Sequence, residues 1–298
     1  MFELLLMRKR NQLSSGFALF AGGSNTILLS DKYYYSSDTS ASGKALRSRK
    51  MDLAGTGNTD VGLFSGGFNG TTNGYTSNIE KYAYSSDTVA LTTNLSRVNS
   101  QHTAAGNYTV GCFFGGYDNS TYSGLAITDR YNYSGSSRVS GVALTKKRRL
   151  SPSAGNSEIA VIAGGADSSN TTDKYSYNNN TRVAGAALNP GLNSKAGTGS
   201  TDFGIFAGGT SSDITQKYIY ANDSAVLATA LKVARWYTYS GASNPENGYF
   251  GGGYNSTDSY IYSVEKYQFS NDVTTVGGNL INYKSQHAAV SSTPCWSV

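Results

Sequence analysis

The sequence predicts an all-β protein: one six-bladed β-propeller whose ring is closed by its C-terminal strand. Three observations carry this expectation. A short apolar run ending in a Gly pair occurs six times along the 298 residues. Each pair is followed by an acid–Lys–Tyr-like triplet with another aromatic two residues on. The C-terminus also carries a spare copy of a segment that the first repeat lacks. A fixed period of this size is the signature of a propeller or an array.

The Gly pairs are Gly22-Gly23, Gly66-Gly67, Gly115-Gly116, Gly164-Gly165, Gly208-Gly209 and Gly252-Gly253, with spacings of 44, 49, 49, 44 and 44 residues. The apolar runs before them are read as strands over 17–21, 61–65, 110–114, 159–163, 203–207 and 248–251. The triplets end at Tyr33, Tyr82, Tyr131, Tyr175, Tyr218 and Tyr267. The second aromatic is Tyr35, Tyr84, Tyr133, Tyr177, Tyr220 or Phe269, and a spacing of two places both rings on one face of a strand. A further strand is expected to end near Leu46, Leu95, Leu144, Leu188, Leu231 and Leu280. Small segments such as Ala54-Gly55 then suit the innermost strand, which crowds around a propeller's axis.

Gln286-His287-Ala288-Ala289 echoes Gln101-His102-Thr103-Ala104-Ala105, whereas no such segment precedes Phe17. Residues 284–291 are therefore expected to supply the innermost strand of the first blade, removing two open sheet edges. This gives an N-terminal arm over 1–13 and a propeller over 14–298.

Four strands per period, a Gly pair closing the second and a Tyr downstream resemble the kelch repeat. The family's Trp is missing, and Leu stands in its region. The resemblance spans roughly residues 14–292. It implies a propeller and leaves function open, because one fold hosts many functions.

Composition narrows the function classes. Charged residues are only 14% and net charge is +5, which lacks the continuous basic face of a nucleic-acid reader. No stretch reaches the length of a membrane span. Cys112 and Cys295 form no metal or redox motif and are expected to be free thiols. His102 and His287 occupy one repeat position, and the recurring acids have the look of a scaffold that pairs with a basic neighbour. No catalytic residues, metal or cofactor are therefore expected, and the chain reads as a non-enzyme.

The departures from the repeat lie in one loop. From the second Gly to the signature Tyr the distances are 10, 15, 15, 10, 9 and 14 residues. Units two, three and six thus carry insertions rich in Tyr, Asn, Ser, Thr and Gly, a composition favoured in recognition loops. The candidate binding residues are Phe68, Tyr75, Tyr117 and Tyr122 in one patch, with Tyr254, Tyr260 and Tyr262 in a second.

The uncharged, Tyr/Gly/Ser/Thr/Asn-rich texture resembles kelch-like domains of bacteriophage structural proteins. That resemblance implies a virion component on tail or capsid, acting in assembly or host attachment. Its partners would be other virion proteins, held through residues 1–13, and a host-surface glycan or protein. The alternatives are a cytoplasmic kelch-type adaptor for a protein partner and a carbohydrate-active enzyme.

Overall fold

A computed structural model describes residues 16–296, apart from 25–26, 167–169, 192, 211, 239, 256 and 258. The arm over 1–13 lies outside the described residues. The protein is all-β and has a β-propeller-like arrangement of small antiparallel sheets. Among the described residues six of these sheets have four strands.

The second unit shows why the sequence folds this way. Its strands are Ala54–Gly57, Val61–Ser65, Ile79–Ala83 and Thr88–Leu91, paired in that order. Ala54–Gly57 carries small side chains because its neighbours stand too close for larger ones. At the equivalent strand of the fifth unit, a Cβ on Gly197 would lie 2.2 Å from the Ser153 carbonyl oxygen. Val61–Ser65 is apolar on both faces because a sheet packs against each of them. Gly66 and Gly67 then turn the chain with φ of 59° and 89°, a region closed to most L-residues. The outer strand Thr88–Leu91 faces water.

The first sheet is assembled from both ends of the chain. Its order is Thr39–Gly43, Ser30–Tyr34, Phe17–Ala21, then Ala288–Ser291. Ala18 faces Ser291 and Ala21 faces Ala288 across an antiparallel ladder.

The core lies between sheets. Leu19 and Ala21 of the first unit pack with Leu53, Phe64 and Tyr82 of the second. Phe20 and Tyr33 of the first pack with Tyr249 and Val264 of the sixth. Five of the outer strands end three or four residues before the expected Leu, at Gly43, Leu91, Ser140, Gly185 and Ala228, and the sixth ends at Asn279, one residue before Leu280. Leu46 and its counterparts follow these ends. The Leu46 amide donates to the Leu28 carbonyl at 2.8 Å, and this return tucks the side chain into the core at 3% exposure. Leu thereby supplies buried apolar volume in the region where the kelch pattern has Trp.

The acid of each triplet has a structural partner. Glu80, Asp173, Glu265 and Asp31 pair with Lys50, Arg148, Arg235 and Lys284 at 3.2, 3.0, 2.6 and 3.8 Å, with all eight side chains fully buried. The cation's own carbonyl accepts a bond from the previous unit's second Gly: Gly23 to Lys50 at 2.7 Å, and Gly253 to Lys284 at 2.6 Å. Each cation segment therefore straps two units together. In the fifth unit both partners are replaced, by Leu192 and Gln216. In the third, Asn99 stands at the cation position and Arg138 reaches Asp129 from the outer strand at 3.0 Å.

Candidate functional site

All three insertions fold as short hairpins on the face where the Gly pairs turn. Phe68–Asn69 pairs with Gly74–Tyr75, and Lys50–Met51 joins them as a third strand. Tyr117–Asp118 pairs with Ser123–Gly124, and Tyr254–Asn255 with Ser259–Tyr260. Asn69, Asp118 and Asn255 set the three turns by accepting bonds from the amides two residues on, Thr71, Ser120 and Thr257, at 2.9, 2.9 and 2.8 Å.

The first expected patch does come together. Phe68 and Tyr75 meet edge to face at 5.3 Å. Tyr75 lies close enough to Asp52, Tyr117 and Tyr122 that, after burial, their charges add to the upward push on its phenol. Tyr117 is half-buried and Arg149 lies 4.8 Å from its ring centroid, so one face of that ring is occupied. Tyr122 is 81% exposed.

Between these two hairpins lies a hollow of about 600 Å³ lined by Tyr75, Arg97, Val98, Asp118, Asn119 and Ser120. Arg97 and Asp118 form an ion pair at 2.5 Å across it. The Asp118 carboxylate is held well below the usual range, first by bonds from Ser120 and further by Arg97.

The second patch contains Tyr254, Tyr260 and Tyr262, but its geometry depends on residues outside the insertion. Tyr260 lies 4.4 Å from Tyr283, Tyr262 lies 6.3 Å from the same ring, and Tyr254 meets Tyr260 at 5.8 Å. Trp236 and Tyr254 exchange backbone bonds of 2.8 and 2.7 Å, and Trp236 stacks on Tyr237 at 4.7 Å. Trp236, Tyr237 and Tyr283 escaped the sequence reading, which counted only insertions. Their signal was positional: each lies in a segment leading to an inner strand and running beside the 254–260 hairpin, Trp236 and Tyr237 before it in the chain and Tyr283 after it.

Near the centre of this face a chain of backbone bonds links equivalent residues of successive units. Gln286 donates to Tyr237 at 2.6 Å, Asp52 to Gln286 at 3.0 Å, Gln101 to Asp52 and Leu150 to Gln101 at 2.9 Å, and Ser194 to Leu150 at 3.1 Å. All six residues have φ between 54° and 58°. The Gln286 side chain also donates to Asp52 at 3.1 Å and accepts from Ser24 at 2.9 Å. Polar groups therefore join the two aromatic patches where the first unit's loop is short.

The six innermost strands line a small cavity of about 90 Å³ together with Pro294, Cys295 and Trp296. Trp296 packs on Tyr108 at 4.3 Å. Cys112 and Cys295 are free, buried thiols, each pushed up to about 12 by burial. His102 and His287 are pushed down to about 3, by burial first and then by Lys50 for the one and by Lys284 and Arg235 for the other. Among the described residues no cluster of three or more His, Cys, Asp or Glu stands ready to hold a metal.

Fold and face together define an all-β, propeller-like protein with a tyrosine-rich surface. No family model matches the chain. No curated protein matches it either. Among solved structures, YjhT is similar at a TM-score of 0.72 and 11% identity, over 88% of this chain and 94% of that one. At that identity the similarity shows the fold alone.

Proposed function

We propose that the chain is a six-bladed kelch-like propeller closed by its C-terminal strand, and that it is a non-enzymatic bacteriophage virion protein. On this reading it sits on tail or capsid and attaches to the host surface through its hairpin face. Closure is supported by the ladder between Phe17–Ala21 and Ala288–Ser291 and by the bonds that run from Tyr237 through Gln286 to Asp52. The kelch assignment rests on the Gly pair and Tyr in all six units.

The observation that carries the functional part is the placement of aromatics. Tyr75, Tyr122 and Tyr262 keep 40, 81 and 42% of their surface in water, the first two on hairpins and Tyr262 two residues past one. Aromatic rings flanked by Asn and Ser favour recognition because they add contact area at little entropic cost.

The test is two-part. Antibody labelling of particles purified from the native source should mark head or tail, and the purified protein should adsorb to host cells. A chain missing from purified particles overturns the virion assignment, and recovery in soluble complexes with one cellular protein supports the adaptor reading instead. Adsorption that survives Tyr75→Ala with Tyr262→Ala, yet disappears when residues 1–13 are removed, overturns the hairpin face and assigns attachment to the arm.

A further inference from the structure

We infer that the hollow between the hairpins of the second and third units is a subsite for a neutral pyranose sugar, and that Tyr122, beside the lining residues rather than among them, adds an aromatic contact at its edge; this rests on the attachment reading. The backbone at Tyr122 is the first observation. Its φ is 52°, in the left-handed region that bulky residues avoid. The equivalent position of the second unit's hairpin is Asn73, also at φ 52°. Asn is the expected residue there, since its short polar side chain tolerates that conformation. The third unit's hairpin places a Tyr where the second unit's hairpin has Asn73, and leaves 81% of it in water. Folding gains little from a ring so exposed. A strained residue with no structural return marks a place to look for function.

The surroundings define the ligand. Tyr75, itself 40% exposed, lines the hollow, and Tyr122 of the facing hairpin lies near it at the edge. Val98 adds a 47%-exposed apolar wall. The size, about 600 Å³, falls within the range of small-ligand sites. Asn119 and Ser120 supply amide and hydroxyl groups on the rim.

Charge settles the class. The hollow has one cation and one anion, Arg97 and Asp118, and they neutralise each other. A phosphate or an acidic sugar would have to compete with Asp118 for Arg97, and a cationic ligand with Arg97 for Asp118. A neutral sugar ring meets neither cost. Its axial C–H groups suit the ring faces, and its hydroxyls suit Asn119, Ser120 and the outward lone pairs of Asp118.

Saturation-transfer NMR with methyl glycosides of glucose, galactose, mannose and N-acetylglucosamine tests this, alongside an array of neutral and acidic glycans. At least one neutral glycoside should bind the full chain. Tyr122→Asn should weaken it by about tenfold or more, as loss of an aromatic anchor does, while melting at a higher temperature than the parent. Tyr122→Phe should keep binding within a few-fold, because ring and backbone are retained. The inference is overturned if only acidic glycans bind, if none binds, or if Tyr122→Asn binds as the parent does. Adsorption to host cells separates the two readings. If the parent adsorbs but binds no sugar, the ligand is a surface protein and attachment stands. If the parent does not adsorb at all, the attachment reading itself falls.

Discussion

Lys266 of the sixth unit pairs with Asp38 of the first, 228 residues earlier in the chain, at 2.7 Å. The same relation joins Lys32 to Asp87 at 2.9 Å, Lys174 to Asp223 at 3.6 Å and Lys217 to Asp272 at 2.9 Å. The Lys of each triplet reaches the turn of the next unit. There that unit's own triplet Tyr bonds the same carboxylate in three cases, Tyr33 to Asp38 at 2.9 Å, Tyr82 to Asp87 and Tyr218 to Asp223. Where all three residues are present, as at Asp31-Lys32-Tyr33, the triplet is therefore a joint: its acid holds the buried cation, its Lys reaches the following unit, and its Tyr fixes the turn.

Asp38 has φ 53°, and in the fourth unit Asn180 stands in its place at 51°. Asp38→Asn should keep both the left-handed turn and the acceptor for Tyr33, losing only a partly exposed ion pair worth about 0–1 kcal/mol. Asp38→Ala should cost about 1–3 kcal/mol, since Ala is strained there and leaves the Tyr33 hydroxyl without its acceptor. Urea unfolding of both variants measures the difference; equal losses would mean that the turn conformation is irrelevant.

The buried pair of Arg235 and Glu265 offers a double-mutant cycle. Either Arg235→Leu or Glu265→Gln alone should cost about 3–5 kcal/mol, because the remaining charge is buried without a counter-ion. The double variant, which copies Leu192 and Gln216 of the fifth unit, should cost less than the two singles added together. Strict additivity in chemical denaturation would show that the pair does not act as a unit.

His287 is fully buried and neither ring nitrogen has a partner among the described residues, whereas His102 meets the Ser65 hydroxyl at 2.7 Å. The second unit places Leu53 at this position. His287→Leu should therefore leave stability unchanged or raise it. The pH dependence follows from both rings being pushed down to about 3. Between their ordinary pKa and 3 the unfolded chain binds the protons and the folded chain does not. Stability should fall as the solution is acidified from about pH 6.5 toward 3, by up to about 1.4 kcal/mol per pH unit for each ring. His287→Leu should flatten that slope, and an unchanged slope would place the acid sensitivity elsewhere.

Removing residues 284–298 should be far more damaging than an ordinary terminal truncation. It deletes the strand against Phe17–Ala21, the Lys284 partner of Asp31 and the Gln286 bonds to Tyr237 and Asp52. The truncated chain should lose its cooperative thermal transition or self-associate through the bared edge. Unchanged melting of a monomer would contradict this.

What the sequence determined by itself were the features encoded within a few residues. Apolar runs ending in Gly pairs placed five second strands at their observed bounds, and the sixth begins one residue earlier, at Asn247. The echo of 101–105 in 286–289 located the strand that pairs with Phe17–Ala21. Aromatic composition marked the three hairpins, because loop chemistry is local. The tertiary structure alone decided which segments lie side by side. Lys50 looks like an ordinary basic loop residue until its chain is laid along the next sheet, where it is buried against Glu80. Trp236 and Tyr283 join the second patch, and Arg97 the hollow, only because each connecting segment runs beside a hairpin, the following one for Trp236 and Arg97 and the preceding one for Tyr283. Periodicity and backbone preference act over neighbouring residues, whereas burial and charge pairing depend on packing between units. Tyr122 shows the difference plainly: its type could be read, but its strained backbone and exposure could not.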